Sequence, residues 1–429
     1  MHLNTAKLNY LRGVRQKMIS NTPAAYDGFL TKQKTKLASN SAIFSISTVI
    51  FAAGFIKNDV SYLLLPFLIG LSLLMRRPSM PQSRLALIFL TIVLCIYGAT
   101  LGVLRGNNII YIMKFVAPIF VFAVLLALRN VGETLFLHRR KILLMCFVIT
   151  ALFTFLVKFR ISSGVDLLMR GWTANGETAT AVSVFHYFAL AFCLIQIFEF
   201  VCVKKTDAGM IRTGIALITI ACLLLMTDTS AFVLAVGVGL IAMSARVIRF
   251  AVIMRIIFFV IASLLVDYFT LQVFVRGFEN YLLATATSDL GNSIRMVQVQ
   301  YFVRNISLMG EGFGAAHAFP VLDHPGRQYL QDQFPYASEL PVLNIVNNAG
   351  LMAAIWFFFV VKPVFHCFAN VRSKDNDIAL KSYFGVACGM VLVGSISNPF
   401  FFSPVSMLLL CVAADLKTRP SGQMARPSR

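Results

Sequence analysis

The stretch LALIFLTIVLCIYGATLGVL, residues 85–104, decides the fold class. It carries no charged side chain, and it matches the about 20 apolar residues that a helix needs to cross a hydrocarbon core about 30 Å thick. An open sheet cannot do this, because lipid leaves its edge N–H and C=O groups without partners. Working outward, similar stretches recur near 40–57, 60–75, 109–128, 141–158, 180–203, 210–226, 229–245, 250–270, 339–361, 379–396 and 400–415. The chain is 58% hydrophobic and 13% charged, which excludes a soluble domain. The expected fold is all-α and polytopic, with about twelve spans. One membrane domain fills 40–415, between a basic tail (1–39) and a short tail (416–429), and a large loop separates the ninth and tenth spans.

The formal charge of +20 suggests nucleic acid until its distribution is read. Most Lys and Arg fall in alternate connections: the N-terminal tail, Arg76-Arg77 and Arg84, Arg139-Arg140-Lys141, Lys204-Lys205, Arg246 and Arg249, Arg372 to Lys381, and the C-terminal tail. By the positive-inside rule both termini are expected in the cytoplasm and loops 159–178 and 272–338 outside. The charge then reports topology and contact with anionic lipid, and no nucleic-acid partner is expected. Residues 1–39 contain no apolar core of a cleavable signal peptide, so the first span is expected to act as an uncleaved anchor. Residues 8–19 fit a short surface helix. Seven of the eight Cys fall in or beside spans, with Cys367 read into a loop; no spacing suits a disulfide staple or a metal.

Two outer loops are long enough to carry function. The shorter, 159–178, holds Arg160, Arg170-Gly171-Trp172 and Asn175-Gly176-Glu177. The longer holds Arg295, the run Gly310-Glu311-Gly312-Phe313-Gly314, and Glu339 just beyond its end. Within it, Met296, Val299, Phe302, Val303 and Ile306 form one helical stripe, predicting an amphipathic helix on the membrane that ends at Gly310.

Arg295 is the first candidate, because a guanidinium offers a fixed fork of donors suited to a diphosphate. Arg170 supplies a second cationic arm, with Arg160, Arg304 and Lys114 as further substrate-binding candidates. Gly310 and Gly312 let backbone N–H groups approach an oxyanion; the same glycines also suit a helix stop. Glu339, where the chain re-enters the membrane, reads as a general base or as a first-turn acid on the helix dipole. Asn344, Asn347 and Asn348 follow, and three amides in a span face an interior or a wet cavity rather than lipid. His317 and His324 read as ordinary polar contacts.

In order, these features resemble the O-antigen polymerase and ligase (Wzy/WaaL-like) superfamily of membrane glycosyltransferases, over about residues 165–360. The resemblance rests on Arg170-Gly171 with Asn175, on Thr227-Asp228-Thr229-Ser230, on Ser293-Ile294-Arg295 followed by Gly310-Glu311-Gly312, and on Glu339-Leu340 with Asn348 and Gly350-Leu351. Ala231 stands where the family often has Arg. Glu339 stands where ligases carry a His-Asn pair, which favours a polymerase, of exopolysaccharide (xanthan) type. The resemblance implies inverting glycosyl transfer with no metal and no cofactor at the outer leaflet of a bacterial inner membrane. Undecaprenyl-diphosphate-linked glycans are the implied partners, beside membrane lipids and other export or chain-length proteins. Arg295 and Arg170 would clamp the diphosphate and Glu339 would activate the acceptor hydroxyl. A ligase shares these features; a lipid-linked glycan transporter is the non-enzyme alternative.

Overall fold

The computed structural model describes residues 41–49, 82–128, 130–158, 171–174, 177–180, 184–226, 230–247, 290–317, 340–394 and 403–417. Its helices are α1 (41–49), α2 (Gln82–Leu104), α3 (Ile109–Ala127), α4 (Val131–Leu137), α5 (Arg139–Lys158), α6 (Val184–Phe198), α7 (Asp207–Met226), α8 (Ser230–Val247), α9 (Leu290–Asn305), α10 (Pro341–Asn370), α11 (Asn376–Gly389), α12 (Val391–Gly394) and α13 (Pro404–Lys417). A π-helical turn, Glu199–Val203, continues α6. Among the described residues, six segments are long and apolar enough to cross a bilayer: Gln82–Leu104, Ile109–Ala127, Phe185–Val203, Asp207–Leu224, Pro341–Asn370 and Asn376–Gly394. The protein is therefore a helical, polytopic membrane protein. The stretches expected at 60–75 and 250–270 lie outside the described residues, as does half of 40–57.

Four details depart from expectation. Strands β1 (Gly171–Ala174) and β2 (Glu177–Thr180) pair antiparallel in the shorter outer loop, with Ala174 opposite Glu177, a small hairpin beside an otherwise helical fold. The sequence between them, Asn175-Gly176, is the favoured pair for a two-residue hairpin. Consequently α6 starts at Val184 rather than near 180. A short helix, α4, follows Asn130, whose φ of 57° turns the chain sharply. Finally, α10 runs on to Asn370, so Cys367 is buried in a helix rather than lying in a loop.

Helices apolar on every side belong in the middle of a bundle, and α6 and α13 are such helices, buried along nearly their whole described length. Around them α11 packs on both, α7 on α6, and α3 and α10 on α13. Two buried polar side chains tie neighbouring helices together. Trp356 donates to Thr91 Oγ1 at 3.0 Å and Tyr383 donates to the Gly239 carbonyl at 2.8 Å.

The basic connections gather at one end. Arg84 pairs with Asp415 at 2.9 Å, both side chains buried, and donates to the Leu128 carbonyl, while Gly132 N–H donates to Asp415 Oδ2. Arg139 and Arg140 share Glu199 at 3.0 and 2.6 Å. Arg246 donates to the Ser373 carbonyl and Arg372 to that of Ala245. This is the clustering that the charge pattern predicts, with the large-loop segment 307–317 at the opposite end.

Candidate functional site

At that opposite end, α2 stops in a tight C-cap. Gly106 takes a φ of 72°, its N–H bonds Val103 O, and Asn107 N–H bonds Gly102 O. This double bond is the Schellman pattern. Asn108 then caps α3, its side chain accepting from Ile110 N–H at 2.9 Å. The turn leaves the Asn107 side chain free to reach across, and it donates to the carbonyls of Glu311 and Phe313 at 3.1 Å.

Those carbonyls belong to a strap, residues 308–314, laid between α2 and α10. Two breaks in regular structure let it in. First, α10 kinks at Gly350 (φ 56°, ψ −138°), which frees the carbonyls of Asn347 and Asn348 and the N–H of Leu351 from the helix ladder. The strap replaces those bonds: Glu311 N–H donates to Asn347 O (3.0 Å), Gly312 N–H to Asn348 O (2.7 Å), and Leu351 N–H to Leu308 O (2.9 Å). Second, Gly98 and Gly102 on α2 present a side-chain-free face. Phe313 N–H donates to Gly98 O at 2.9 Å, and Gly312, at φ 82°, lies so close to Gly102 that a Cβ would collide with the helix backbone. Only glycine satisfies both conditions there. Tyr97 donates to Met309 O at 2.6 Å, and Phe313 stacks on Phe115 at 5.5 Å, completing the seat.

Behind the strap lies a buried polar network. Asn344 Oδ1 accepts from His317 Nε2 (3.0 Å) and from Asn348 Nδ2 (2.7 Å), while Asn347 Nδ2 donates to Glu311 Oε2 (2.9 Å). Asn344, Asn347, Asn348 and His317 are all buried, as the run of amides predicts; Glu311 is partly exposed. Helix α9 closes one side, with the Phe302 ring edge-on to His317 at 5.1 Å. Burial pushes the His317 imidazole below its ordinary range, outweighing the opposite pull of the Asn344 bond. The ring is thus neutral near pH 7, and its 3.8 Å approach to Glu311 is not an ion pair there.

The candidate residues are distributed as follows. Gly310, Gly312 and Asn344 meet in this network. The N–H of Gly310 bonds Ser307 and that of Gly312 bonds Asn348 O, so these glycines serve close helix approach, with both amides engaged inside the protein. Arg304 is exposed on the last turn of α9, and Lys114 is exposed on α3 above the Tyr111 ring. Arg295 lies on α9, its side chain outside the described residues, and Arg160, Arg170 and Glu339 lie outside them altogether. The expected stripe divides: on α9 Phe302 is buried and Val303 exposed, with Gln298 buried one turn before Phe302, and Ile306 is exposed just past the helix, which ends at Asn305 rather than at Gly310. Glu311, read from sequence only as part of the glycine run, and Asn107 also join the site. Their signals were a carboxylate between two glycines and an amide immediately after a helix-stopping glycine.

No family model matches this chain, and no curated protein matches it.

Proposed function

We propose that the chain is a polysaccharide polymerase that joins undecaprenyl-diphosphate-linked oligosaccharide repeat units at the outer face of a bacterial inner membrane, both termini lying in the cytoplasm. One observation carries this reading. The large-loop block Gly310-Glu311-Gly312 and the re-entry block Asn348 to Leu351, two of the separate stretches on which the resemblance rests, are bonded to each other. The partners lie beside a buried amide network at one end of the bundle, where a lipid-linked donor would present its diphosphate.

The chemistry asked of the protein is small. The acceptor hydroxyl attacks the anomeric carbon of the donor glycan, the bond from that carbon to the diphosphate oxygen breaks, and the configuration inverts. The hydroxyl proton goes to Glu339, and the departing diphosphate keeps the electron pair. Arg295 and Arg170 hold the developing negative charge, the interaction that lowers the barrier most in such transfers. Lys114 is a lesser candidate for the same task. Asn344 orders the re-entry segment through His317 and Asn348. A ligase would share this apparatus.

The discontinuous helix at Gly350 favours a second reading, a transporter of lipid-linked glycan, because transporters build sites at such breaks. Reconstitution with lipid-linked repeat units separates the readings. A polymerase yields a ladder of longer lipid-linked chains, whereas a transporter moves single units across the bilayer without lengthening them. Arg295→Ala and Glu339→Gln are each expected to abolish the ladder while the protein still inserts; full activity in both variants overturns the assignment of the site.

A further inference from the structure

Far from the strap, at the end where the basic connections gather, a groove of about 100 Å³ opens between α2, α10 and α13. Ser83 and Arg84 line it from α2 and Phe359, Lys362 and Pro363 from α10. Its two halves differ in chemistry. Leu87 and Pro363 form a buried apolar floor beside the exposed ring of Phe359. At the other half stand the exposed Ser83 hydroxyl and the exposed Lys362 ammonium, 5.8 Å over the Phe359 ring. Buried Arg84 lies against them, its Nε without a hydrogen-bond partner among the described residues. Asp415 already neutralises Arg84. Lys362 has no ion pair among the described residues, so the groove carries one uncompensated positive charge.

We infer that this groove binds the phosphodiester headgroup of an anionic phospholipid. Lys362 supplies the charge, the Ser83 hydroxyl and the unpartnered Arg84 Nε–H supply donors, and an acyl chain runs along Phe359 and Leu87. Basic pockets between spans bind anionic headgroups. The apolar half distinguishes a lipid from a free anion: inorganic phosphate would leave Phe359 exposed and fill only one side. The inference is independent of the proposed enzymatic activity.

The test is native mass spectrometry of the full-length protein in detergent, with phosphatidylglycerol, phosphatidylcholine or inorganic phosphate added. Phosphatidylglycerol is expected to be retained over phosphatidylcholine, and Lys362→Ala to weaken that retention by about fivefold, the effect of one basic residue near a membrane surface. Lys374→Ala, an exposed basic residue at the same end but outside the groove, is expected to leave it unchanged. Three results would overturn the site: equal retention of phosphatidylcholine, equal loss in the Lys374 variant, or displacement of the lipid by millimolar phosphate. Because Lys362 is exposed, its replacement leaves the buried Arg84–Asp415 pair, and with it the fold, intact.

Discussion

At one end of the bundle, Arg84, Asp415, Arg139 and Glu199 tie helix termini together through charges, two of them fully enclosed. The opposite end is fastened mainly by neutral groups: backbone bonds from a glycine-rich strap, the side chain of Asn107, and amides around His317, with the partly exposed Glu311 carboxylate beside them. Enclosed charges enforce one arrangement, because separating them leaves an ion stranded in apolar surroundings. Backbone bonds and amides can be exchanged for water or for a ligand's hydroxyl groups at far smaller cost. Under the proposed function, this end is the one chemically suited to admit and release a glycan, and the charged end is suited to hold the frame.

The largest effect expected from breaking this contrast comes at the charged end. Asp415→Leu leaves Arg84 buried without its counter-ion and is expected to destabilise the protein by about 3–5 kcal/mol, read as thermal unfolding in detergent. The double replacement Arg84→Met with Asp415→Leu should recover most of that loss. Next comes the seat of the strap. Gly312→Val places a branched side chain at a left-handed position against α2 and is expected to cost about 1–3 kcal/mol or more. Its signature is proteolytic cleavage near 308–317 with the charged end still protected.

A titration sharpens the contrast further. The folded state holds His317 below its ordinary value of about 6.5, so below that value the unfolded chain binds the proton more readily. Stability is then full above about pH 6.5 and declines as pH falls through the lowered folded value. His317→Gln should flatten this dependence. The smallest effect belongs to half-buried Lys381 and exposed Asp377, paired one turn apart on α11 at 2.9 Å. Lys381→Ala should change stability by no more than about 0.3–0.5 kcal/mol.

Much of the frame is legible in the sequence, because lipid imposes a length and a polarity that any apolar run either meets or misses. The runs at 85–104 and 109–128 emerge as helices within a few residues of those bounds. What resists reading is whatever depends on a distant partner. The target of Gly310-Glu311-Gly312 is the side-chain-free face of Gly98 and Gly102, some two hundred residues away, and no local pattern announces it. A glycine run therefore reads equally well as a phosphate loop, a helix stop or a close-packed strap. The break at Gly350 is hidden for a similar reason: one glycine in an apolar run is ordinary until another chain segment claims the freed carbonyls. The hairpin at 171–180 was readable from Asn175-Gly176, but the hydrophobic pattern of the following helix obscures it.

Helix α10 also acts as a ruler. Twenty residues at 1.5 Å each extend about 30 Å, the thickness of one hydrocarbon core. Counted back from Lys362, whose ammonium belongs among headgroups, they reach Val342. Asn344 then stands at the opposite edge of the core, and the Asn344–His317 contact lies near the depth of a phosphate rather than an acyl chain. Under the proposed function, a substrate tethered by a long isoprenoid would reach this corner without leaving its leaflet, its tail still buried and only its polar head drawn aside.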